Sequence, residues 1–161
     1  MIFVTVGTHE QPFDRLIKKI DDLVEKDIFS DVFVQTGYCK YVPAHCEHQS
    51  MLPYDEMQSK IEQADVVITH GGPASFVSVI EKGKVPVVVP RQEKYGEHVN
   101  DHQKEFCEEL IKRGFPIIVV NDVEDLENII LNCGQGCGNN YASNNKNFNE
   151  RVLSALNKLF E

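Results

Sequence analysis

Val66-Val67-Ile68-Thr69-His70-Gly71-Gly72-Pro73-Ala74-Ser75-Phe76 is the stretch on which the fold reading turns. It opens with a short run rich in β-branched residues, which reads as a buried strand. Two glycines follow at once and let the backbone turn sharply and approach a ligand. Pro73 suits the first turn of a helix, where its missing N–H costs nothing. The helix is predicted over Ala74–Lys82 and stops at Gly83. Free amides of that first turn, at the positive end of the helix dipole, form an anion site, and Ser75 adds a hydroxyl donor. The dipole alone contributes only ~0.3–1 kcal/mol at an exposed position, so several donors must act together. The reading is a site for the diphosphate of a nucleotide-linked substrate. A plain strand-to-helix turn is the simpler alternative. Neither a Gly-Lys-Ser/Thr nor a Gly-x-Gly-x-x-Gly accompanies the pair.

The same alternation repeats on either side of this stretch. Strands are predicted at Met1–Val6, Val32–Thr36, Val85–Val89 and Ile117–Val120. Helices are predicted at Pro12–Lys26, Tyr54–Gln63, Val99–Lys112 and Val123–Leu131. Between them, Tyr38–Ser50 reads as irregular with a short strand at Lys40–Val42, and Arg91–Gly96 as a polar loop. The Gly/Asn-rich Asn132–Asn147 reads as a mobile loop, and Phe148–Phe160 as a closing amphipathic helix. Solid apolar strands alternating with helices imply a parallel sheet covered on both faces. The fold class is therefore α/β, a doubly wound, Rossmann-like parallel sheet, with 1–161 as a single domain. Ligands of such sheets sit beyond the carboxyl ends of the strands. Gly7-Thr8-His9, His70-Gly71-Gly72 and Arg91–His98 would converge there.

Bulk properties narrow the function. A formal net charge of -9 argues against charge-driven binding to nucleic acid or anionic lipid. The apolar runs are too short to span a bilayer. The amino terminus enters a strand directly, which predicts no signal peptide. Five cysteines without paired spacing suggest reduced thiols and a cytoplasmic setting.

The second informative segment runs from Arg91 to Gln103. Arg91 and Lys94 offer charge for phosphate, and His102 and Gln103 offer donors and acceptors for hydroxyls. His98 and His102, four apart, would share a helix face as zinc ligands often do, and His45-Cys46-Glu47-His48 is another polar cluster. Neither has further ligands at matching spacing, so no metal is expected. His9 is the candidate proton acceptor at the ligand edge.

Taken together, Ala64–Gly72, Gly83-Lys84-Val85-Pro86-Val87-Val88-Val89-Pro90 and His102-Gln103 resemble the carboxy-terminal half of family 28 glycosyltransferases of the GT-B fold. The opening Phe3-Val4-Thr5-Val6-Gly7-Thr8 and Pro12-Phe13-Asp14-Arg15-Leu16 look like the stand-alone catalytic subunits of two-part transferases. Pro90-Arg91-Gln92 and Gly96–Gln103 are similar to those of bacterial capsule and exopolysaccharide pairs. The two-subunit N-acetylglucosaminyltransferase of dolichol-linked oligosaccharide synthesis is another relative in pattern.

That resemblance implies a UDP-sugar donor, with the diphosphate at Gly71, Gly72 and Ser75, and His70 within the same motif. Gly7 and Thr8 would face the donor, and Arg91, His102 and Gln103 would lie over it. It also implies inversion at the anomeric carbon and no cofactor or protein-bound metal. The acceptor, a lipid-linked saccharide, would be held by a separate membrane-associated subunit, placing the chain peripherally at the inner face of the plasma membrane. One departure stands out. The family commonly has an acid for the ribose hydroxyls where this chain has Ser78. A non-catalytic accessory subunit that boosts a partner transferase is therefore the alternative.

Overall fold

The computed structural model describes residues 1–133. Six strands form one wholly parallel sheet: β1 (Ile2–Thr5), β2 (Val32–Gln35), β3 (Glu47–Gln49), β4 (Val66–His70), β5 (Val87–Val89) and β6 (Ile118–Val119), in the order β3-β2-β1-β4-β5-β6. The helices are α1 (Asp14–Glu25), α2 (Tyr54–Gln63), α3 (Pro73–Glu81), α4 (His102–Lys112) and α5 (Leu126–Cys133). Single turns of tighter helix occupy Glu93–Tyr95 and Val123–Asp125. The doubly wound α/β expectation is met.

Alternation along each strand divides the core between two faces. Val4, Ile68, Val87 and Val89 pack against Leu16, Ile17 and Ile20 of α1 and Leu126 and Ile130 of α5. Phe3 and Val67 point the other way, onto Ile61 of α2 and Val79 of α3. Val88 joins Phe76 of α3 and Cys107 and Leu110 of α4. Strand order reverses between β1 and β4, and this is where a sheet of this kind opens a crevice at its carboxyl edge. At the opposite, amino edge of the sheet the Lys84 ammonium donates to the carbonyls of Ile61, Glu62 and Ala64, closing the carboxyl end of α2.

Most element ends shift by a residue or two from the sequence reading, and the larger differences have local causes. Lys40–Val42 is not a strand. The amides of Lys40 and Tyr41 are held by Asp14, and Asp21 takes Tyr41 Oη and the amides of Ala44 and His45. The sheet instead gains β3, an exposed polar edge. β5 begins at Val87, just after Pro86, which has no amide to give to a ladder. α4 begins at His102 rather than Val99, because Asn100 Oδ1 accepts the His102 amide and turns the chain there. α5 is preceded by a separate tight turn and extends two residues beyond Leu131. The loop expected over 132–147 starts within α5, whose last residues are 132 and 133; its remainder, the closing helix over 148–160 and the single-domain reading of the whole chain lie outside the described residues.

Candidate functional site

The turns after β1 and β4 face each other across the switch point. Gly7 follows β1 with φ +75°, and its place is fixed by buried polar groups. Thr5 Oγ1 donates to Gln35 Oε1 and accepts the Gly7 amide, while Gln35 Nε2 donates to the Gly7 carbonyl. Neither Thr5 nor Gln35 stood out in the sequence. The only signal was their polar character at the carboxyl ends of otherwise apolar strands.

Across the gap, the His70 ring is clasped between two glycines. A Cβ on Gly7 or on Gly72 would run into it. The Gly72 amide donates to His70 Nδ1 at 3.0 Å, and His70 Nε2 lies 2.8 Å from Ser75 Oγ. An amide can only donate, so Nδ1 carries the lone pair and the neutral ring holds its proton on Nε2. His70 therefore donates to Ser75 Oγ, which leaves the serine proton free to point outward. Burial, with the Arg91 charge nearby, holds the His70 pKa down at about 4, so the ring is neutral near pH 7.

A crevice of about 540 Å³ opens here, bordered by Gly7, Thr8, His9, His70, Gly72, Ala74, Ser75 and Ser78. Tyr54, Met57 and Ile61 of α2 form an apolar side wall. A second hollow of about 310 Å³ lies on the other side of Pro73, lined by Gly71, His98, His102, Gln103 and Phe106. The two share the amino terminus of α3, so one elongated ligand would cross it.

The donor inventory at that terminus differs from the sequence expectation. The Gly71 amide donates to Gln103 Oε1 at 3.1 Å, and the Gly72 amide is taken by His70. Ser75 N–H bonds back to the Gly72 carbonyl. Among the described residues, Ala74 N–H is given no protein acceptor. The outward donors are thus Ala74 N–H and Ser75 Oγ–H, not the glycine amides. Gln103 Oε1 also accepts the Arg91 amide, so one side chain ties the ends of β4 and β5 together.

Arg91 is a correction. Its side chain is 1% exposed and stacks over Phe13. Its guanidinium donates to the carbonyls of Gln11, Glu97 and Val6, so it anchors backbone rather than facing a phosphate. Lys94 sits over the Tyr95 ring and borders neither hollow. The segment behind them is equally fixed. Arg15 makes a two-pronged bond to Glu97, at 2.8 and 3.0 Å, and Glu97 Oε2 accepts the Gln92 amide.

The histidines separate into two groups. His9 and His98 meet ring to ring, with centroids 5.1 Å apart. Desolvation, then the Arg91 charge, lowers the pKa of His9. His98 lies before α4, so it does not share a helix turn with the exposed His102. Among the described residues, no three His, Cys, Asp or Glu side chains gather in a metal-binding group. Ser78 Oγ donates to the Ala74 carbonyl within its own helix and presents no carboxylate to the crevice.

The sequence matches the glycosyltransferase family 28 C-terminal domain over residues 1–159. It is 36% identical over 123 residues to the human (Homo sapiens) UDP-N-acetylglucosamine transferase subunit ALG13, and 34% identical over 122 residues to that of Mus musculus. Each match takes in 70% of this chain and 10% of the relative, so the chain spans about a tenth of the length of these relatives. Among solved structures, the glycotransferase of kitacinnamycin superposes with a TM-score of 0.61 at 18% identity, over 98% of this chain and 38% of the other. MurG of Acinetobacter baumannii superposes with a TM-score of 0.55 at 16% identity, over 96% of this chain and 49% of the other. These likenesses establish the fold.

Proposed function

The chain belongs to the glycosyltransferase family 28 C-terminal domain family, and from that premise we propose that it is the donor-binding catalytic subunit of an inverting glycosyltransferase. The donor is a UDP-sugar. Its diphosphate lies at the start of α3 against Ser75 Oγ and Ala74 N–H, where the helix dipole favours negative charge. The nucleoside occupies the crevice beside α2, and the sugar reaches the second hollow near His98, His102 and Gln103. A helix amino terminus can stabilise the departing UDP through backbone and hydroxyl donors, without a cofactor or protein-bound metal.

The acceptor is a lipid-linked saccharide of a capsule or exopolysaccharide pathway. A second, membrane-associated subunit holds it and keeps this chain at the inner face of the plasma membrane. No helix among the described residues is long and apolar enough to cross a membrane, and a partner that supplies the anchor agrees with that. The two ALG13 relatives, named as subunits of a UDP-N-acetylglucosamine transferase, support a multi-subunit arrangement.

One observation carries the reading: the neutral His70 aligns the Ser75 hydroxyl beside the open Ala74 amide at the switch point. Calorimetric titration with UDP tests it. Micromolar binding is expected, weakened about tenfold in Ser75→Ala, the equivalent of one hydrogen bond to a charged group. Absence of UDP binding would instead favour the accessory-subunit reading, which Ser78 in place of an acid keeps open.

A further inference from the structure

His98 and His9 are held in opposite protonation patterns. Asn100 Oδ1 accepts the backbone N–H of His102 at 3.2 Å, which fixes that atom as the carbonyl oxygen. The same oxygen lies 3.0 Å from His98 Nδ1, so Nδ1 must be the donor. The neutral His98 ring therefore carries its lone pair on Nε2. His9 is the reverse. The Gln11 amide donates to its Nδ1 at 3.1 Å, so the neutral ring keeps its proton on Nε2. The two rings meet at 5.1 Å where the crevice and the second hollow adjoin, one offering a donor and the other an acceptor.

Building on the donor-site reading above, we infer that His98, rather than His9, is the catalytic base that takes the proton of the attacking hydroxyl, with Asn100 as its positioning residue. A side chain that binds one imidazole nitrogen and leaves the other bare is the arrangement by which Asn or Asp prepares a catalytic histidine. In the step, the acceptor O–H bond breaks and its proton passes to His98 Nε2. The acceptor oxygen forms its bond to the anomeric carbon. The bond from that carbon to the UDP oxygen breaks, and its electron pair leaves on the β-phosphate. The imidazolium then returns the proton to solvent. His9, with Nε2–H outward, contributes a donor.

Nitrogen-15 spectra of histidine-labelled full-length chain read the two tautomers directly. His98 is expected protonated on Nδ1 and His9 on Nε2, and Asn100→Ala should leave His98 a mixture while His9 keeps its pattern. UDP release is followed in parallel from UDP-glucose, UDP-galactose, UDP-N-acetylglucosamine and UDP-glucuronate, with membranes carrying a co-expressed acceptor-binding subunit of the kind proposed above. His98→Gln is expected to lower release about 100-fold or more, while UDP affinity stays within about threefold. His9→Asn is expected to cost less than His98→Gln. A His98 protonated on Nε2, the reverse order of the two variants, or wild-type chain that binds UDP yet releases none overturns the assignment. Wild-type chain that binds no UDP while His98 shows the stated tautomer would instead fail the donor-site reading.

Discussion

His70 Nε2 lies 2.8 Å from Ser75 Oγ, and the ring that carries it fills the space left by two missing side chains. The serine is therefore aimed by a histidine that two glycines hold in place. At the proposed donor site, UDP affinity is expected to depend on these glycines as well as on the serine.

The clasp predicts a pattern among glycine variants. Gly7→Ala and Gly72→Ala each drive a methyl into His70, and Gly7 adds the strain of a positive φ. Each should lose about 1–3 kcal/mol of stability, as overpacked sites do. Each should also weaken UDP binding more than Ser75→Ala. Gly96→Ala, with φ +69° but open space around it, should show strain alone. Urea denaturation and calorimetry on the three variants check this. Equal effects would contradict it.

The depressed pKa of His70 makes stability depend on pH in a defined direction. The unfolded ring titrates near 6.5 and the folded ring near 4. Between those values the unfolded chain binds more protons, so stability falls as pH drops. The contribution is complete above pH 6.5 and is lost toward pH 4, by up to about 3 kcal/mol. Urea midpoints across that window should slope less in His70→Asn than in wild type. Parallel slopes would count against a buried neutral ring.

Asp21 behaves as its acidic counterpart. Burial alone would raise its pKa, but Tyr41 Oη and the amides of Ala44 and His45 pull it down to about 2. This carboxylate therefore contributes roughly 2 kcal/mol above pH ~4, lost as pH falls toward 2. Asp21→Asn should cost about 1–3 kcal/mol at pH 7, because acceptor capacity for buried donors is lost. The gap to wild type should narrow on acidification. A gap constant from pH 7 to pH 3 would contradict this.

Arg91→Lys is expected to act as a structural lesion. A lysine has no planar fork to reach the carbonyls of Val6, Gln11 and Glu97 together. A loss of about 2–4 kcal/mol is expected from the unpaired groups. Where the variant remains folded, UDP affinity should stay within about threefold of wild type. A large affinity loss without a stability loss would return Arg91 to the phosphate.

Much of this architecture was legible because β4 and α3 are punctuated by local chemistry. An apolar run, two glycines and a proline mark the turn whatever lies around it. β3 was invisible for the converse reason. Glu47, His48 and Gln49 are all exposed, so the strand has no buried face and joins the sheet through its backbone. Val99 suggested an earlier start for α4, although it is 71% exposed and Asn100 fixes the helix three residues later.

The site was harder to read because its hydrogen bonds are long-range. Sequence places a cation at the ligand edge, but Arg91 is claimed by carbonyls as far away as Val6. Sequence also places two glycine amides at a helix start. That Gln103, 32 residues on, takes one of them, and that the neighbouring His70 takes the other, is visible only in three dimensions.

The most direct test of the account is a crystal structure of the chain with uridine diphosphate. The β-phosphate is expected within hydrogen-bonding reach of Ser75 Oγ and Ala74 N–H, at the start of α3, with His70 still between Gly7 and Gly72. A diphosphate bound elsewhere on the chain, or a vacant switch point at millimolar UDP, would contradict it.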